Sequence, residues 1–196
     1  MDVLRLDLMY WQLIHSLVIG QGMRVIEINR NDTEVILEKE DDKEKRFIRI
    51  VRKDLDWSNY LKSDIEEAGA QLELLRKNLL FKRLYVDNIY VSMYAPIDSW
   101  ENVIEKPILV GKGEKTEVTS HLFTPENNDP KILSFFERNH LQVPRQVGEL
   151  TLYHVELLAN EVKQAAQDRF NEEKALFSYG KPRFTYVLLL LIGFMF

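Results

Sequence analysis

The chain has 196 residues and no cysteine, with 26 basic and 31 acidic residues that give a net charge of −5 at neutral pH. This length suits one domain with appendages, and the lack of cysteine excludes disulfides, thiolate metal sites and a cysteine nucleophile within these residues. The mildly acidic balance, without a block of Lys or Arg, does not favour a nucleic-acid partner.

The first predicted element is a buried helix from about Leu6 to Ile19, which is dense in apolar residues and ends at Gly20 and Gly22. His15 lies in this helix, where a lone histidine is most often a packed residue rather than a ligand. The residues before the helix carry acids where a secretory signal peptide would carry cations, so the sequence predicts no export signal.

Three short strands are predicted between Met23 and Arg52, with a charged hairpin loop before the third. In the third strand, Phe47, Arg49 and Val51 are expected to face one side of the sheet, because side chains alternate along a strand. The alternate residues of this strand are expected to face the other side.

The strongest helical pattern begins at Ser58, the predicted N-cap, and continues to about Leu79. Its apolar residues recur at spacings of three and four, which predicts one buried stripe. Acids lie in its early turns and Lys or Arg in its late turns, as the helix dipole favours. A strand rich in Val, Ile and Tyr is predicted next, from Leu84 to Tyr94.

Between Asp98 and Pro144 the pattern predicts two short helices with edge strands or loop between them. Gly111 and Gly113 flank Lys112, but their spacing matches neither nucleotide-binding fingerprint, so we interpret them as a turn. A long helix is predicted over residues 149–179.

The last ten residues, Val187–Phe196, are uniformly apolar. A membrane-spanning helix needs about 20 such residues, so this run is predicted to be the first half of a transmembrane helix that is cut by the end of the sequence. Lys181 and Arg183 precede it and fit an entry into a membrane. The alternative is an apolar terminal element that packs in the core.

The sequence therefore predicts three parts. Residues 1–148 form a cytoplasmic α/β (α+β) domain with a mixed sheet of about four to five strands and flanking helices, in the order helix, three strands, helix, strand. Residues 149–179 form a helix that packs on the domain and acts as a stalk. Residues 180–196 form the membrane entry and a truncated first transmembrane helix. Because positive charge stays inside, residues 1–183 are expected in the cytoplasm, at the cell membrane.

One acidic group is a candidate site for a hard divalent cation. Asp54 and Asp56 lie in the turn after the third predicted strand, and Asp64 lies on the following helix. Clustered carboxylate oxygens are the ligands that Mg²⁺, Mn²⁺ and Ca²⁺ prefer. One objection is that Asp64 lies about 12 Å from Asp56 along a straight helix. The alternative is that acids near a helix start complement its dipole.

The predicted element order is also similar to the core of restriction-endonuclease-like domains. Those nucleases need an acid on one strand and Glu/Asp-x-Lys on the next to hold Mg²⁺. Residues 47–52 carry no acid, and Glu38-Lys39 and Glu114-Lys115 lack the intervening residue. The sequence thus predicts at most an inactive relative, and it contains no Gly-x-Ser-x-Gly, HExxH or P-loop, so no catalytic residue is assigned.

Three stretches carry a further resemblance. Residues 53–57 (Lys-Asp-Leu-Asp-Trp) with residues 64–67 (Asp-Ile-Glu-Glu) resemble the N-terminal cytoplasmic domain of bacterial rhomboid intramembrane serine proteases. Residues 180–186 (Gly-Lys-Pro-Arg-Phe-Thr-Tyr) resemble the segment just before the first membrane helix of that family. The pair Tyr10-Trp11 in the first helix fits the same pattern.

This resemblance implies that the full-length protein is a serine endopeptidase, whose Gly-x-Ser-Gly serine and membrane histidine are both missing from this sequence. The chain itself is therefore expected to be inactive and to act as a regulatory or adaptor domain. The family needs no cofactor, but the resemblance implies possible sensing of Mn²⁺, Mg²⁺ or Zn²⁺ through Asp54, Asp56 and Asp64. Lys53 precedes them where a histidine would be a better ligand, which weakens the metal interpretation.

The implied partners are the membrane, membrane-protein substrates or other proteases, with no nucleic acid. Two other functions stay open. One is a protein-binding module that is anchored in the membrane and has no protease attached. The other, less favoured by the residues, is a metal-dependent nuclease.

Overall fold

The computed structural model describes residues 2–39, 45–126, 130–142 and 152–178. Its helices are α1 (Asp2–His15), α2 (Ser58–Asn78), α3 (Glu101–Ile104), α4 (Pro130–Arg138) and α5 (Leu152–Ser178). A turn of π-helix, Ser16–Gly20, continues α1. Its strands are β1 (Arg24–Ile28), β2 (Glu34–Lys39), β3 (Lys45–Arg52), β4 (Leu84–Val91), β5 (Ile108–Val110) and β6 (Thr116–Phe123).

The six strands form one mixed sheet in the order β1-β2-β3-β4-β6-β5. The first three strands are antiparallel neighbours, β3, β4 and β6 are parallel, and β5 is antiparallel to β6. Helix α2 provides the crossover that two parallel neighbours require. The predicted fold class is confirmed, but the sheet has six strands rather than four to five. The difference arises because the segments left open as edge strand or loop both pair into the sheet.

One face of the sheet packs on α1, α4 and α5, and we call it the α1 face. Its apolar residues, contributed by every second position of the strands, form one continuous cluster. A buried histidine, His121, lies beside Phe135 on this face, with its Nε2 2.8 Å from Asp87. The fully buried members include Leu13, Ile14, Val35, Leu37, Ile50, Ile89, Phe135 and Val162.

The opposite face, which we call the α2 face, packs on α2 and α3 and carries two separate apolar clusters. Val51 lies in one of them with Leu61 and Ile65. Phe47 lies in the other with Leu72. Phe47 and Val51 therefore share a face, as the alternation along β3 predicts.

The start of α2 differs from the prediction that Ser58 is its N-cap. Trp57 holds the cap position in an extended conformation and makes no capping hydrogen bond with its side chain. Instead, Ser58 donates from its backbone N–H and its Oγ to Asp98 in the loop after β4, at 2.7 Å each. These hydrogen bonds lower the pKa of Asp98. An acid distant in sequence thus occupies the positive end of the helix.

Residues 111–114 form the turn that we expected from the glycine spacing. Gly111 has a φ of +86°, and a Cβ there would lie 2.2 Å from a carboxylate oxygen of Glu73. Glu73 is buried and accepts hydrogen bonds from Arg76 and from the Thr116 hydroxyl at 2.7 and 2.6 Å. The hydrogen bonds from Arg76 outweigh burial, and the pKa of Glu73 falls to about 2. The glycine is thus needed for this close approach.

The long C-terminal helix is present as α5, which packs against α1. Polar contacts support this packing: His15 Nε2 lies 2.7 Å from Glu161, and Lys163 lies 2.6 Å from Asp32. A stalk role for α5 stays a prediction. Within the described ranges, no helix combines the length and apolar character needed to span a bilayer. The predicted truncated transmembrane helix falls in residues 180–196, which lie outside those ranges.

Candidate functional site

The candidate site lies where the parallel strands β3 and β4 end. The loop after β3 and the loop after β4 run side by side there. The Lys53 N–H donates to the carbonyl of Val91 at 3.1 Å, and the Ile97 N–H donates to the carbonyl of Asp56 at 3.0 Å. Open α/β sheets bind ligands at the carboxyl ends of their parallel strands. The topology thus places these two loops at the edge of the sheet where open α/β folds bind ligands.

A depression of about 280 Å³ opens between the loop after β3 and the first turns of α2. It brings together the three acids that the sequence proposes as metal ligands, although Asp64 is distant from the other two along the helix. Its lining residues are Lys53, Asp54, Leu55, Asp56, Tyr60, Ser63, Asp64 and Glu67.

Two of these acids are already engaged by protein donors. Asp54 accepts hydrogen bonds from the Ser92 hydroxyl at 3.0 Å and from the Met93 N–H at 2.9 Å. Asp64 accepts one from the Tyr90 hydroxyl at 2.8 Å and is paired with the ammonium of Lys53. Among the described residues, no three acidic or histidine side chains are grouped so that they could hold a metal ion. The acids share a depression but not a preformed coordination sphere.

Asp64 lines the depression, and its surroundings shift its pKa. Burial opposes its ionisation, but hydrogen bonds from Lys53 and Tyr90 and the charges of Lys53 and Arg49 outweigh burial and lower its pKa. One Arg49 nitrogen lies 3.8 Å from the carboxylate. Asp64 is therefore an ionised carboxylate whose charge is balanced by Lys53 and Arg49. A metal ion that binds it must first displace Lys53.

A row of polar side chains crosses the sheet beneath the depression, and we call it the polar row. It consists of Arg49, Asn88 and Ser120, which are directly paired on β3, β4 and β6. Arg49 donates to Asn88 at 2.9 Å, and Asn88 donates to the Ser120 hydroxyl at 3.3 Å. All three side chains are buried. The polar row separates the two apolar clusters of the α2 face.

Arg49 is held at its other end by Glu34 of β2. Its Nε and a terminal nitrogen donate to the two Glu34 oxygens at 2.8 and 3.0 Å, which is the fork geometry of strong arginine–carboxylate pairs. Burial alone would lower the pKa of Arg49, but Glu34 raises it above its ordinary value. Asn88 also donates to the Tyr90 hydroxyl at 3.1 Å, and Tyr90 donates to Asp64. A continuous hydrogen-bonded path thus leads from β2 to the depression.

The polar row is absent from the functional residues predicted above, although the sequence carries a signal for it. Arg49, Asn88 and Ser120 each stand between two large apolar residues at the inward positions of their strands. A polar residue in the middle of an inward stripe must find a partner, because an unpaired buried polar group is destabilising. Three such residues on three strands indicate a network, but their register becomes known only with the sheet.

No protein-family model matches the chain. The chain is 27% identical over 192 residues to "Rhomboid protease GluP" of Bacillus subtilis (strain 168), a match that covers 97% of this chain and 37% of the relative. It thus spans little more than a third of the length of the curated relative that it matches. The chain is a distant homologue of a rhomboid protease.

Proposed function

We propose that this chain is the cytoplasmic, non-catalytic domain of a rhomboid-type intramembrane serine protease, followed by the start of its first transmembrane helix. The observation that carries this proposal is the match over 97% of the chain to only 37% of the rhomboid protease. A domain with its own core and a long helix that leads toward the apolar run supports it. The catalytic serine and histidine then belong to the remainder of the full-length protein.

The proposed role is regulatory or adaptor, with residues 1–183 in the cytoplasm and the protein at the cell membrane. Its partners would be membrane-protein substrates or other proteases. The depression at the carboxyl edge of the sheet supports this role, because hydrogen bonds connect it to the interior of the domain. A ligand that alters Asp64 would act directly on a network that contacts β2, β3, β4 and β6.

The DNA that follows the codon for Phe196 tests the architecture. We expect it to encode, in frame or after a frameshift, a Gly-x-Ser-Gly motif and a later histidine, each in a predicted membrane helix. An early stop codon without these motifs would contradict the protease assignment. That result would leave the membrane-anchored binding module as the better explanation.

A chimera tests the role. The matched third of the Bacillus subtilis protease would be replaced by this chain, and cleavage of a membrane-protein substrate would be compared between the chimera and the intact protease. We expect the chimera to cleave, and a chimera that also carries Asp54→Asn and Asp64→Asn to cleave at a different rate. Equal rates for the two chimeras would argue against regulation through the depression.

In the proposed function, the acids of the depression would sense divalent cations. If Asp54, Asp56 and Asp64 bind a divalent cation, Mg²⁺ or Zn²⁺ should shift their backbone amide resonances together, and Mn²⁺ should broaden the same signals. The variant Lys53→Ala should bind more tightly, because it removes the ammonium that competes for Asp64. Shifts spread over all surface acids, with no gain in this variant, would show non-specific binding.

A further inference from the structure

Four large apolar side chains are exposed beside the acidic depression, and together we call them the aromatic rim. They are Trp57, Tyr60, Tyr94 and Ile97, whose exposed fractions are 47, 59, 60 and 78%. Exposed apolar side chains that lie together mark an interaction surface more often than exposed apolar side chains that are scattered singly. The aromatic rim is therefore a feature that the proposed cation site does not explain.

The backbone that carries the aromatic rim is held in place. The Ile97 N–H donates to the carbonyl of Asp56 at 3.0 Å, beside Trp57. Ser58 and Asp98 join the same two loops through two hydrogen bonds of 2.7 Å. Because the two loops are fixed to each other, binding requires little ordering of the backbone, which favours affinity.

The charge around the aromatic rim is negative. Four exposed acids lie in residues 53–67, and Asp98 is a fifth. The exposed cations of the same segments are Lys53 and Lys62. Lys53 is already paired with Asp64. A partner that carries Lys or Arg would gain from both features, since carboxylates bind these cations and aromatic faces attract them.

We propose that the aromatic rim and the depression bind an extended segment of a protein partner that carries several Lys or Arg residues. Segments of this chemistry flank transmembrane helices on their cytoplasmic side, so the partner's class rests on the proposed function. The depression is open and small, which suits the side chains of an extended peptide better than an enclosed cofactor. Nucleic acids and anionic lipid surfaces are disfavoured by charge, and a second copy of this surface would bring acids against acids.

A direct binding measurement tests this proposal. The full 196-residue chain, in a neutral detergent, would be titrated with a fluorescent 12-residue peptide of alternating Lys and Ser, read by anisotropy. The matched peptide has Gln in place of every Lys. We expect the Lys peptide to bind at least about tenfold more tightly than the Gln peptide. Equal binding of the two peptides would overturn the proposal.

Tryptophan fluorescence gives a second readout at the surface itself. Of the three tryptophans, Trp11 and Trp100 are 3 and 6% exposed, whereas Trp57 is 47% exposed. We expect the Lys peptide to protect Trp57 from quenching by acrylamide. Binding without protection would place the peptide elsewhere on the chain and would contradict the proposal.

Substitutions locate the contact. Trp57→Ser and Tyr94→Ser should each weaken binding of the Lys peptide about threefold to fivefold, as expected for loss of one cation–π contact. Tyr153→Ser is the matched control, because Tyr153 is 68% exposed on α5, away from the depression. Equal affinity for all three variants would show attraction by net charge alone and would overturn the proposal. Such a result would leave the protease assignment intact, since the DNA sequence tests that assignment separately.

Discussion

The two faces of the sheet use the same strands in different ways. On the α1 face, the apolar residues of the strands and of α1, α4 and α5 form one continuous cluster, which the His121–Asp87 pair borders without dividing. On the α2 face, the polar row divides the apolar residues into two clusters. Apolar burial stabilises a fold by about 25 cal/mol per Å², whereas a buried ion pair adds little net stability over apolar residues of the same size. The α1 face thus buries an unbroken apolar cluster, whereas the α2 face gives part of its interior to a hydrogen-bonded path that reaches the depression.

The largest expected effect tests the α1 face. Ile50→Ala removes a fully buried side chain from the continuous cluster and should lower the free energy of unfolding by about 3–4 kcal/mol. Urea denaturation of the full chain, followed by circular dichroism, measures this loss. Ile36→Ala, which removes the same side chain from a buried position on the α2 face, is the matched control and should lower it by less. An equal or larger loss for Ile36→Ala would reverse the comparison of the two faces.

The next effect tests the polar row. Arg49→Met keeps the length of the side chain but removes its charge, so Glu34 and Asn88 lose their partner in a partly buried site. We expect the free energy of unfolding to fall by about 2–3 kcal/mol, less than the roughly 3–5 kcal/mol lost when a fully buried ion pair is broken, because the Glu34 side chain is 27% exposed. Lys62→Met, on the exposed surface of α2, is the control and should change it by less than about 0.5 kcal/mol.

If the polar row is dispensable, Arg49→Met will leave the free energy of unfolding unchanged or will raise it. If Arg49→Met unfolds at the same urea concentration as the unmodified chain, the polar row contributes nothing to the α2 face. The hydrogen-bonded path between β2 and the depression would then be present in the structure but would contribute nothing to the stability of the fold.

Much of this fold follows from local pattern. The period of two along β3 placed Phe47 and Val51 on one face, and the apolar stripe of Leu61, Ile65 and Leu72 placed α2 over it. The order of elements is correct for the same reason, because each long element buries a face of its own. Local pattern does not decide whether β5 and β6 are strands or loop. β5 has three residues and gains its structure only by pairing, and β6 is an inner strand between β4 and β5, which only the pairing shows.

The candidate site was predictable only in part. The acids that surround the depression were identified from their types and their place after a strand. Their hydrogen-bond partners on β4 and the loop after it were not, because Tyr90, Ser92 and Met93 are distant in sequence and only the parallel pairing of β3 and β4 brings them near. The helix cap shows the same limit, since sequence proximity suggested Ser58 and the fold supplies Asp98. Contacts between distant segments depend on register, which local pattern does not define.

The smallest expected effect is a pH dependence of the free energy of unfolding, which we expect for a substitution on the α2 face and not for one on the α1 face. Asp64→Asn removes a carboxylate whose pKa is lowered in the folded state. A lowered pKa stabilises the fold above the pKa of the unfolded chain, and that contribution is lost as the pH falls through the folded-state pKa. At pH 7 the variant should therefore be less stable than the unmodified chain, and the difference should shrink toward zero as the pH falls below about 4, the ordinary pKa of an Asp carboxyl.

Urea denaturation at several pH values between about 2 and 7 measures this difference, because the ordinary pKa of Asp is about 3.9. Glu66→Gln is the control on the exposed surface of the same helix. The loss caused by Ile50→Ala should stay constant over the same range, because no charge on the α1 face changes with that substitution. A difference for Asp64→Asn that persists or grows in acid would mean that the Asp64 carboxylate is not stabilised by Lys53, Tyr90 and Arg49. The depression would then be an acidic surface without an electrostatic connection to the interior of the domain.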